Sequence, residues 1–161
     1  MKLFLFGMMV VFMFEIAQAD TTKRYIKVSG GYLMVLREGD QVFKHLEELA
    51  KKENIKSATF SGIGFANVKF GFFDFKTKEY VPKEFKKIEL ASLKGSIAWE
   101  EGKPSLHAHG VGAGENFQAV AGHILEATVD TGSLEIRVEL MDKKLNRKMD
   151  ESLGAKILEI P

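Results

Sequence analysis

The 161-residue chain contains no cysteine, and that absence closes several routes at once. There can be no disulfide framework, no thiol nucleophile and no lipid-accepting cysteine behind the apolar start of the chain. An excess of charge of one sign is missing too: 23 Lys and Arg face 22 Asp and Glu, for a formal net charge of +1. The densest positive stretch, Lys83 to Lys87, is interrupted by Glu84 and Phe85. So even a balance argues against nucleic acid or an anionic membrane as a dominant partner. Internal repeats, low-complexity stretches and dividing linkers are absent as well. The fold must rest on its apolar core, with oligomerisation as an aid.

One long hydrophobic run is present, at the N-terminus. Lys2 supplies a positive start, Leu3 to Phe14 form an apolar stretch of about a dozen residues, and Ala17-Gln18-Ala19 places small residues where a signal peptidase needs them. Residues 1–19 therefore read as a secretory signal peptide cleaved before Asp20. Left uncleaved, the segment would be a membrane anchor, but a stable span needs roughly 20 apolar residues and Glu15 cuts this run short. Cleavage of 19 of the 161 residues leaves 142, residues 20–161, enough for one domain with a sizeable core. No stable membrane span remains after cleavage, and the expected location is periplasmic or secreted.

In the mature part, Arg24 to Ser29 and Tyr32 to Leu36 read as strands around the turn signal Gly30-Gly31. Asp40 reads as an N-cap for the one long helix, whose apolar stripe is Val42, Phe43, Leu46, Leu49 and Ala50. From Ile55 onward the period becomes two. Ala66, Val68, Phe70 and Phe72 alternate with polar or small residues, as do Ala91 to Trp99 and Leu134 to Leu140. Turns are expected at Asp74–Glu79, Glu100–Pro104 and Asp130–Gly132. The fold class is α+β, a single domain of mainly antiparallel sheet with one helix.

Three of the four histidines, His107, His109 and His123, fall within seventeen residues. His107 and His109 are two apart, so on a strand they leave the same face. The glycine-rich stretch Gly110 to Asn116 turns the chain, and Val120 to Val129 returns. Residues paired across that hairpin have numbers summing to about 230, which lays His109 close to His123. Three converging imidazoles suit a divalent metal with an open fourth position, zinc first among candidates; the alternative is a polar cavity or subunit contact lined by ordinary histidines. Glu126 is the nearest carboxylate, a candidate for a place just outside the metal's own ligands. On a regular strand it points away from His123, so joining the ligands themselves would require a bulge or another subunit. Because imidazole binds metal in its neutral form, binding is expected to weaken below about pH 6.5, and His109, between the other two in this register, is expected to matter most. Ser61-Gly62-Ile63-Gly64 lacks the lysine of a phosphate loop and reads as a tight turn. His45 reads as a surface residue and Trp99 as core.

Several blocks together resemble the PPC (plants-and-prokaryotes-conserved) domain family: Thr59 to Val68, Gly71-Phe72-Phe73-Asp74, Leu90 to Ile97, Gly102 to His109, Gly122 to Glu126, and Arg147 to Gly154. The resemblance covers roughly Tyr32 to Ile160. It implies an antiparallel sheet domain that assembles as a homotrimer, with His107, His109 and His123 at the histidine positions of prokaryotic members. The family carries a DNA-binding label, and its plant members join the domain to AT-hook peptides; no Arg-Gly-Arg-Pro hook is present in this sequence.

Three functions follow as expectations. The first is an exported, trimeric module that binds a metal or a small-molecule ligand. The second is a metal-dependent enzyme using water activated at the same histidines. The third is a DNA-binding protein, which requires the signal-peptide reading to be wrong. For export the check is direct: protein recovered from an exporting host should begin, on N-terminal sequencing, at or near Asp20. Retention of Met1 in a cytoplasmic protein would refute it.

Overall fold

The helical stripe forms as its spacing requires. In the computed structural model, which describes residues 23–160, helix α1 (Val42–Lys52) buries Val42, Leu46, Leu49 and Ala50. Lys51 and Lys52 occupy its last turn, where cations complement the helix dipole. Its start differs from expectation. The N-cap is Gln41, with no side-chain cap, because the Asp40 carboxylate is already taken by the Arg24 guanidinium and the Arg37 backbone N–H. A charge-assisted pair of that kind outcompetes a neutral helix N–H. The expected export segment, residues 1–19, lies outside the described residues.

Eight strands accompany the helix: β1 (Tyr25–Val28), β2 (Gly31–Arg37), β3 (Ser57–Asp74), β4 (Glu79–Glu100), β5 (Lys103–Ala113), β6 (Ala119–Met141), β7 (Arg147–Asp150) and β8 (Ala155–Leu158). The first six form one antiparallel sheet in the order β1-β2-β6-β3-β4-β5. β5 also pairs with the start of β6, so β3, β4, β5 and β6 close into a ring. A separate hairpin, β7-β8, is tied to the end of β4 where Trp99 bridges Asn146. Met34 and Leu36 of β2, Leu46 and Leu49 of α1, Leu90, Leu93 and Ile97 of β4, and Leu134 and Ile136 of β6 fill the core. Each such fully buried side chain contributes about 1.5–3 kcal/mol relative to exposure. No helix among the described residues is long and apolar enough to cross a membrane.

Three local expectations are corrected. Ser61 to Gly64 is not a turn but part of β3, where the register shifts between Gly62 and Gly64. Gly64 has φ +144°, and a Cβ there would lie 2.2 Å from the Ser133 carbonyl oxygen. A bulge and a close backbone approach, not chain reversal, explain the glycines. Asp130–Gly132 is likewise no turn. Gly64 pairs with Leu134 and Ala66 with Val129, so these residues are an excursion within the continuing β6. Phe72, expected to continue the buried series Ala66, Val68 and Phe70, is 76% exposed. There β3 runs past the core, paired with an equally exposed stretch of β4.

Candidate metal centre

His109 and His123 face each other directly across β5 and β6. Pairing continues from that rung to Ala113–Ala119, so the hairpin loop occupies residues 114–118, slightly later than the glycine run suggests. On the other side of the rung the two strands part. Upstream of His109, β5 pairs with β4 alone, placing His107 opposite Ser96. Beyond His123, β6 continues against β3, with Ile124 opposite Phe70. The histidines therefore stand where the ring opens. Ala108, between the first two, points into the core and is buried, which fixes both neighbours on the outer face.

The rings form a near-equilateral triangle. Centroids are 5.1 Å apart for His107–His109, 5.1 Å for His107–His123 and 5.3 Å for His109–His123. No ring is central, so the expected primacy of His109 has no geometric basis. One ring nitrogen from each lies within 4.8 Å of the others, and the Nε2 atoms of His107 and His109 are 3.2 Å apart. Nitrogens bound tetrahedrally to zinc at roughly 2.0–2.1 Å are about 3.3 Å apart, so that pair is already spaced for one ion. His123 Nδ1 is buried without a hydrogen-bond partner among the described residues. An all-imidazole donor set fits zinc and its transition-metal neighbours, whereas calcium and magnesium require oxygen ligands.

The surroundings favour the neutral form of His107 and His123. Burial, then the neighbouring His107 and His109, push His123 down to about 4. Burial, with His109 and Arg147, also lowers His107. Tyr80 of β4 stacks on His123 with centroids 4.6 Å apart and planes 19° from parallel, and Phe73 meets Tyr80 edge-on at 5.1 Å. To reach His123, Tyr80 leans across Gly71 of β3, the residue paired with His123. A Cβ at Gly71 would lie 2.7 Å from the tyrosine ring, so the missing side chain is what admits the stack.

Glu126 illustrates a bulge changing a face. β3 pairs Lys69 with Glu126 but Phe70 with Ile124, which leaves Leu125 as an extra residue and returns Glu126 to the side of His123. Its carboxylate pairs with Lys69 at 3.0 Å and is not among the clustered donor atoms. His45 is half-buried on α1, its Nε2 3.4 Å from Asp40, and it is not one of the clustered histidines. Trp99 is half-buried and donates from Nε1 to the Ile55 carbonyl at 3.0 Å. Tyr80 and Arg147 were not legible as site residues: Tyr80 sits in no motif, Arg147 opens a family-like block that carries no histidine, and Arg147 is anchored by bonds to residues 42 and 51 positions away in sequence.

Residues 24–140 match the Plants and Prokaryotes Conserved (PCC) domain. The chain belongs to this family. Solved PCC-like structures agree with the fold. A provisionally named DNA-binding protein from Ralstonia eutropha JMP134 is 48% identical, with TM-score 0.84 over 87% of this chain and 98% of that one. A plant- and prokaryote-conserved protein from Pyrococcus horikoshii is 32% identical, with TM-score 0.72 over 81% and 91%. A metal-containing protein from Archaeoglobus fulgidus is 28% identical, with TM-score 0.72 over 80% and 91%. Among curated proteins none matches this chain.

The depressed histidines give this PCC domain a specific pH response. In the unfolded chain an imidazole takes up a proton near pH 6.5, whereas the folded His123 waits until about 4. Between those values the unfolded state binds more protons, so stability falls as pH drops from about 6.5 towards 4. The window for proton competition at His107 and His123 accordingly lies below the 6.5 of free imidazole. NMR titration of metal-free protein should show His123 neutral down to about pH 4, with denaturation midpoints declining across the same range. A His123 ring that titrates near 6.5 would overturn this.

Proposed function

We propose that this PCC-domain protein is a trimeric binding module, exported to the periplasm or beyond the cell, that holds one divalent ion through His107, His109 and His123. The observation that carries the reading is the triangle of imidazoles, with one nitrogen from each within 4.8 Å. The metal-containing relative from Archaeoglobus fulgidus supports it, and the nitrogen donor set favours zinc. His107, His109 and His123 would hold the ion, which when bound supplies Lewis acidity and a coordination position open to a ligand. What this chain's own residues contribute is orientation: Tyr80 fixes the plane of His123, and the β5 pleat fixes the other two rings. Calorimetric titration of metal-stripped protein at neutral pH should show saturable zinc binding near one ion per chain. Replacing any one of the three by alanine should weaken it by more than the roughly 10–100-fold typical of losing an outer partner, while His45→Ala leaves it unchanged. Absence of saturable zinc, nickel or copper binding would leave the histidines as structural residues.

An enzymatic use of the same centre needs a general base near the ion. The Leu125 bulge puts Glu126 on the right face, but Lys69 holds its carboxylate, so the binding role is preferred.

Self-association is supported by apolar surface. Ile63, Phe65 and Phe117 are exposed at 59%, 41% and 90% and line one open groove of about 980 Å³ along β3, β4 and the β5–β6 hairpin. Contiguous exposed apolar surface of this kind marks an interaction site. Light scattering should give about three times the mass of the mature chain, consistent with closed rotational symmetry. A persistent monomer at high concentration would remove the trimer.

The name of the Ralstonia eutropha relative favours a second reading, DNA binding. A chain of net charge +1 should bind duplex DNA at most weakly and with marked salt sensitivity. Fluorescence anisotropy that showed tight, sequence-selective binding at physiological salt would put the second reading first.

A further inference from the structure

Beside the imidazoles lies a cavity of about 300 Å³ whose walls include His107, His123, Tyr80, Lys78, Lys156 and Arg147. Three cations and no carboxylate line it, in a chain whose charges otherwise balance. Lys156 is paired with Glu100 at 2.8 Å. Lys78 donates to a neutral acceptor, the Glu151 carbonyl, at 2.9 Å, with the Asp150 carboxylate near enough to feel its charge.

Arg147 is the unusual member. It is 7% exposed, and its two hydrogen bonds go to the Ser105 carbonyl and the Ser96 hydroxyl, both at 2.6 Å. Neither acceptor is charged, and no carboxylate lies within ion-pair distance of it among the described residues. A guanidinium has five N–H donors, so three are not engaged in these bonds. Arg24, by contrast, has Asp40 as its partner. Burying a charge without a counter-ion is costly. Glu100 is near enough to act on the Arg147 charge, yet its carboxylate goes to Lys156.

We infer that this cavity binds a small anion bearing a carboxylate or phosphate group, with the Arg147 guanidinium as its main anchor and Lys78 as a second. The planar fork of arginine suits both oxyanions. A volume of about 300 Å³ is at the small end of ligand sites, which run to roughly 1,000 Å³, so the occupant is a compact molecule. Tyr80 offers one apolar wall, and His107 and His123 put the far end of the ligand beside the proposed ion. In that last contact alone the proposal rests on the metal-site reading. The Arg147 and Lys78 contacts do not require the ion.

The probes are malonate and inorganic phosphate, titrated calorimetrically into zinc-treated and metal-free full-length protein. Saturable 1:1 binding of at least one is expected in both forms; which probe binds more tightly tells a carboxylate ligand from a phosphate ligand. Arg147→Lys should weaken binding about tenfold or more, and Lys78→Met several-fold, with zinc uptake unchanged in both. Lys78 is exposed, so its variant decides the matter should the arginine variant fail to fold. Protein that takes up zinc but binds neither probe overturns this proposal and spares the metal site. Protein that binds a probe but no zinc does the reverse. Anion binding that neither substitution weakens also overturns the proposal.

Discussion

The rung between His109 and His123 closes the ring of strands, and the rest of the site follows from where that rung falls. On one side of it β5 and β6 are hydrogen-bonded to each other; on the other each continues with a different neighbour. A parting of strands exposes side chains that a continuous ladder would keep apart or cover. His107 projects into that opening from beyond the last rung, and the β7-β8 hairpin brings Arg147 to its far side. Backbone pairing, insensitive to side-chain identity, thus determines which side chains can meet.

Two kinds of electrostatic environment adjoin within this small region. His107 and His123 are biased towards the neutral form by desolvation and by the neighbouring rings, which preserves their lone pairs. Arg147, near enough to act on His107, and Lys78 carry positive charge on the wall of the adjoining cavity. Direct contact of a guanidinium with a metal ion would be repulsive, and here the guanidinium is anchored instead to the Ser96 hydroxyl and Ser105 carbonyl.

Much of this was legible from the sequence because it depends on short-range periodicity. The helix follows from apolar residues at three- and four-residue spacing, and the approach of His109 to His123 follows from one hairpin and a period of two. What escaped depends on departures from period. The bulge at Leu125 reverses the side on which Glu126 emerges, and the excursion at Asp130–Gly132 mimics a turn. The first half of β4, with Lys83, Glu84, Lys86 and Lys87, looks like a solvated charge run, yet Phe85 within it packs against the core and meets Phe70 edge-on, a burial set by its pairing with β3. Tyr80 is hidden for the same reason: its role depends on the absence of a side chain at Gly71, on another strand. Arg147 is only the first residue of a family-like block until the end of β4 is known to hold the β7-β8 hairpin in place.

The chain has a single tryptophan, and its position has an optical consequence. Trp99 ends β4, its backbone N–H donates to the Leu145 carbonyl at 3.0 Å, and the Lys144 ammonium lies 4.9 Å from its ring. The indole thus grips the segment that leads directly into Arg147. Movement of β7 relative to β4 would alter both the ammonium over the ring and the polarity around it, and so the emission of the only indole fluorophore. The fold carries an intrinsic spectroscopic reporter where β4 meets the segment leading to its cationic wall, readable without any attached dye.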